Sequence, residues 1–97
     1  MEVKITGAME VTISGTIKSI EDYQEIKETV REVVSDGKGD LLIRIPASLT
    51  MTSSVIGFFL KLIYKDQVKV SMLVGDERLY RLLDVLNLLT VFGVKKM

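Results

Sequence analysis

Hydrophobic and polar residues change period several times along this chain, and each change marks an element. Val3-Lys4-Ile5-Thr6 alternates as a half-buried strand does. Gly7 interrupts it, and Val11-Thr12-Ile13-Ser14 alternates again, so the two segments predict a hairpin around Gly7-Ala8-Met9-Glu10. Gly15 ends the second segment as a bulge or a turn. From Ser19 the period is helical. Ser19-Ile20-Glu21-Asp22 reads as a capped N-terminus, with a hydroxyl followed three residues on by an acid. Ile20, Tyr23, Ile26, Val30, Val33 and Val34 then recur at helical spacing, and Gly37 and Gly39 supply the stop.

Leu41-Leu42-Ile43-Arg44-Ile45 is short and apolar, which predicts a central strand buried on both faces and ended by Pro46. A hydroxyl-crowded loop, Ala47 to Ser54, leads to a second helix over Val55–Lys65. A third helix through Leu79, Leu82, Leu83 and Leu86 follows the strand Val68–Val74 and the turn Gly75-Asp76. A last strand is expected at Val91–Val94. The order β-β-α-β-α-β-α-β predicts a single α/β domain over residues 1–97, with a mixed sheet of about five strands and helices packed on it.

Composition narrows the function. The chain has 97 residues, 47% of them hydrophobic, enough for one folded core. Thirteen Lys and Arg balance thirteen Asp and Glu, so the net basic footprint of a nucleic-acid binder is missing. There is no cysteine, hence no disulfide and no thiolate chemistry, which suits a reducing cytoplasm. With no histidine, the commonest general base and metal ligand is gone, and no cofactor or metal is expected. The longest apolar stretch, Val55 to Leu60, falls far short of the about 20 residues a membrane span needs, so no membrane insertion is expected. No nucleophile–base pair, dinucleotide fingerprint or phosphate loop can be named, so the expected role is binding, not catalysis.

One junction stands apart. Thr52, Ser53 and Ser54 lie where a central strand hands over to a helix, a place where α/β sheets commonly bind ligands. The simplest alternative is that one of these hydroxyls only caps the helix. Apolar residues from Val55 to Ile63 cover roughly 200° of that helix, against the roughly 100° a surface helix needs. Phe58 and Leu60 sit at the margins of that arc, beside Gly57. Surplus apolar surface next to a small residue suits a docking face, unless neighbouring elements cover it.

These junctions, taken in order, resemble the STAS domain of sulfate transporters and anti-sigma factor antagonists. The resemblance runs from the glycine-ended strand Val11–Gly15 through Leu41–Ile45 to Leu86-Asn87-Leu88 and Phe92. Within it, Thr52-Ser53-Ser54-Val55-Ile56-Gly57 is similar to the family's Asp-Ser-Ser-Gly-Leu-Gly segment. Thr52 stands in place of the acid and Val55 in place of the first glycine, while Gly57 keeps the second. The resemblance implies a protein-binding switch. Its partner would be an anti-sigma factor that is itself a serine kinase and phosphorylates Ser53, or Ser54 as second choice, with a phosphatase reversing the mark. Thr52, Ser54, Gly57, Phe58 and Lys61 would lie at the contact face of a cytoplasmic monomer or weak homodimer. Two other readings stand beside it: an unphosphorylated STAS module within a transporter or scaffold assembly, and a sensor of a small ligand or nucleotide.

Overall fold

The computed structural model describes residues 1–35 and 39–97. The expected helix stop at Gly37 lies outside them. The elements are β1 (Glu2–Gly7), β2 (Glu10–Ser14), α1 (Ile20–Val33), β3 (Asp40–Ile45), α2 (Ser53–Tyr64), β4 (Lys69–Val74), α3 (Glu77–Val85) and β5 (Val94–Lys96). The strands form one sheet in the order β1-β2-β3-β4-β5. The β1–β2 hairpin is antiparallel and the other three pairings are parallel. This is the α/β architecture with a five-stranded mixed sheet that the hydrophobic pattern predicts.

From β2 onward each strand takes the place next to its predecessor, always on the same side. Right-handed crossovers then carry every connecting helix over the same face of the sheet. Burial follows that rule. Val11 and Ile13, Leu41, Ile43 and Ile45, and Val70, Met72 and Val74 are buried beneath the helices, and Phe59 and Phe92 meet edge-on above them at 6.0 Å. The opposite face is open. Lys4, Thr12, Arg44, Leu73 and Lys95 form one row across it, and Glu10 joins Arg44 at 3.5 Å while accepting from the Thr6 hydroxyl at 2.6 Å. The expectation that β3 is buried on both faces therefore fails. Leu42 and Arg44 are half-buried on the open side, because a sheet whose crossovers never reverse direction has only one helical layer.

Gly15 lies in a bend just beyond the β2 ladder, with φ +83°, which is the turn of the two readings and not the bulge. One later boundary does move. The last strand begins at Val94, later than Val91. Phe92 N–H donates to the Leu88 carbonyl and Val94 N–H to that of Leu89, so the backbone still winds in turns there. Gly93, with φ +55°, releases it into the sheet.

Candidate protein-binding site

The parallel strands end at one edge of the sheet, and the loops after β2, β3 and β4 gather there. The loop between β3 and α2 is fastened by Ser48, a wholly buried serine. Its Oγ accepts from the Ile17 N–H at 3.0 Å and donates to the Thr50 carbonyl at 2.6 Å. Met51, also buried, pins the next turn. Nothing in a loop crowded with hydroxyls marks Ser48 out, since its role depends on Ile17, thirty-one positions earlier.

Thr52 is the N-cap of α2: its Oγ1 accepts from the Val55 N–H at 3.3 Å. The capping requirement is thus met by Thr52, and Ser53 and Ser54 are left exposed in the first turn. Among the described residues neither serine side chain hydrogen-bonds to the protein. The three helices start differently. In α1 a capping box ties Ser19 to Asp22, with Glu21 beside it. In α3, Asp76 caps and Glu77 follows. The first turn of α2 carries no acid, so its positive dipole end is uncompensated by side-chain charge.

Ser53, Gly57 and Lys61 recur every four residues and form an exposed stripe, with Ser54 at its flank. Gly57 lies within the helix and has no positive φ. A Cβ built there would meet nothing within 4 Å. No packing within the chain asks for a glycine at this position, although one costs a helix about 0.5–1 kcal/mol relative to alanine. Tyr64, 69% exposed, closes the stripe.

Phe58 departs from the expected contact face. It is 4% exposed, with its ring edge-on to Tyr23 at 6.5 Å, against Phe59 at 5.7 Å, and beneath the Arg31 guanidinium at 5.6 Å. At the margin of the apolar arc it faces α1, which covers it. Leu60, at the other margin, is half-buried. Ile20, 70% exposed at the start of α1, has the opposite fate. With Lys18, Ser19 and Tyr23 it shares a shallow depression whose other wall is Thr52 and Ser54. Helical spacing places Ile20 in the apolar set of α1, so only the contact between two helix starts assigns it to the surface around the serines.

Among the described residues no group of three or more His, Cys, Asp or Glu side chains is arranged to hold a metal ion, and no helix is long and apolar enough to cross a membrane. The chain matches no protein-family model and no curated protein.

Proposed function

We propose that this chain is a non-catalytic, switchable protein-binding module in the manner of an anti-sigma factor antagonist, with Ser53 as the switch. The observation that carries this reading is the exposed stripe Ser53–Gly57–Lys61 at the acid-free start of α2, where Thr52 does the capping and Gly57 serves nothing inside the fold. A glycine with open space above it lets a partner's backbone approach the helix closely. A hydroxyl one turn before it can carry a phosphate of about −1.5 to −2 charges. That charge is favoured by the helix dipole within the free protein, and it must be desolvated when a partner lands on Gly57. Unmodified Ser53 therefore corresponds to the bound state and phosphorylated Ser53 to the released one. The partner this reading implies is a serine kinase that is also the bound target, with a phosphatase restoring the hydroxyl, all in the cytoplasm.

Thr52 favours a second reading, an unswitched STAS module in a larger assembly. A neutral hydroxyl there removes the negative charge that precedes the serine in the switched members of that family.

Affinity purification from the native cells, with bound proteins and phosphosites read by mass spectrometry, identifies the partner. Binding is then compared across substitutions. Ser53→Ala should bind as the parent does, and Ser53→Asp should bind at least about tenfold more weakly. Equal binding by both would rule out the switch, and a partner without a kinase fold would favour the second reading.

A further inference from the structure

The chain is neutral overall, yet its charges are sorted along the seam between α1 and α2. α2 runs from Ser53 to Tyr64 without an acid, and Lys65 is its C-cap. Its Phe58 meets α1, edge-on to Tyr23 and beneath Arg31. Ser54 stands four residues before Phe58, and Lys61 and Lys65 three and seven after it, so all share the flank of α2 next to α1. On the α1 side, Lys27 lies 5.8 Å above the Tyr23 ring. Ile20 and Tyr23 face Thr52 and Ser54 across the depression that Lys18 also lines. The cations of the seam are therefore Lys18, Lys27, Arg31, Lys61 and Lys65, and among the described residues none of them forms an ion pair.

The acids of α1 are turned elsewhere. Asp22 is engaged in the cap, and the Glu25 carboxylate accepts from the Val3 N–H of β1 at 3.0 Å. Glu21, Glu28 and Glu32 are exposed on the outward face, opposite the buried Ile26 and Val30. At the far end of the seam, Asp66 lines a cleft with Arg31, Val34 and Leu62. Helix dipoles account for Arg31 and Lys61, which stand in the last turns of their helices. They do not account for Lys18, which precedes the positive end of α1, or for Lys27 in its middle.

We propose that this seam docks an acidic helix of a partner protein, its carboxylates facing the seam cations and one aliphatic side chain entering the depression beside Ile20. Ile20, 70% exposed, supplies the apolar end of the site. From Ser54 to Lys65 the seam runs about 16 Å at about 1.5 Å per residue, which matches about three turns of a docked helix. Charge complementarity selects an acidic occupant. The outward glutamates restrict it further, since a broad polyanion such as a nucleic-acid duplex or an anionic membrane would meet Glu21, Glu28 and Glu32 as well. A single segment touches the seam alone. This site concerns the flank of α2 turned to α1 and stands or falls without the modification of Ser53.

The test is an NMR titration of the labelled protein with a peptide of about 14 residues, rich in glutamate and with leucines along one helical face. The largest amide shifts should fall on Ile20, Tyr23, Lys27, Ser54 and Lys61. The double substitution Lys61→Glu and Lys65→Glu, on exposed positions, should weaken binding by about tenfold. Ile20→Ala, which leaves every charge in place, should weaken it severalfold. The same peptide with lysine for glutamate should not bind. Equal binding by the lysine peptide or by the charge-reversed protein overturns the proposal. So do an absence of binding by the parent, shifts confined to other elements, or equally tight binding of duplex DNA or phosphatidylserine vesicles to the same residues.

Discussion

Gly57 and Gly75 put the same residue type to opposite uses. A Cβ on Gly75 would run into the Pro46 carbonyl, because the Gly75 N–H bonds back to the Ile45 carbonyl where β3 and β4 end together. Gly75→Ala should therefore cost about 2 kcal/mol or more in urea unfolding. Gly57→Ala should do the reverse, stabilising the fold by about 0.5–1 kcal/mol while weakening the captured partner's binding. If Gly57→Ala stabilises the protein and leaves binding untouched, the close-approach role of this position is wrong. Composition cannot separate the two glycines, since one is defined by a neighbouring strand and the other by empty space.

At the scale of elements, the start of α1 was fully legible. Ser19 and Asp22 form the reciprocal cap their spacing predicts: the Asp22 N–H donates to Ser19 Oγ at 3.1 Å, and Asp22 Oδ2 accepts from the Lys18 and Ser19 N–H groups. The Lys18 backbone N–H is the main cause holding the Asp22 carboxyl below its ordinary 3.8, joined by the bonds from Ser19 and opposed by desolvation. Because the folded pKa lies below the unfolded one, this contribution is fully present above the unfolded value and is lost as pH falls through the folded one. Asp22→Asn should cost about 1 kcal/mol at neutral pH. Thermal melts followed down to about pH 2 should show a smaller acid-induced loss for Asp22→Asn than for the parent. The α2 boundary was less legible. Apolar periodicity places its start at Val55, whereas the cap is Thr52, because Ser53 and Ser54, the exposed first two residues of that helix, contribute nothing to the apolar pattern.

At the scale of the whole molecule, one apolar run tests the single helical layer. Leu41 and Leu42 are chemically identical neighbours, yet Leu41 lies under the helices at 1% exposure and Leu42 on the open face. Leu41→Ala should cost about 2–5 kcal/mol and Leu42→Ala clearly less, in a single cooperative urea transition for each. Equal losses would mean that something covers the open face. Of the candidate site, Ser53, Ser54, Gly57 and Lys61 were legible as the narrow polar face of a helix, and the structure leaves them exposed on one surface. The burial of Phe58 against α1 and the places of Ser48 and Ile20 were not legible, because each depends on an element distant in the chain. Element types and order follow from the sequence alone, since periods of two and of about 3.6 residues are local properties of the backbone. So does the absence of cysteine and histidine chemistry. Only the tertiary structure decided which face of each strand is covered, which margin of α2 is buried, which strand edge is free and which hydroxyl caps. Those outcomes depend on where the crossovers place each helix, and that placement arises from packing between residues far apart in the chain.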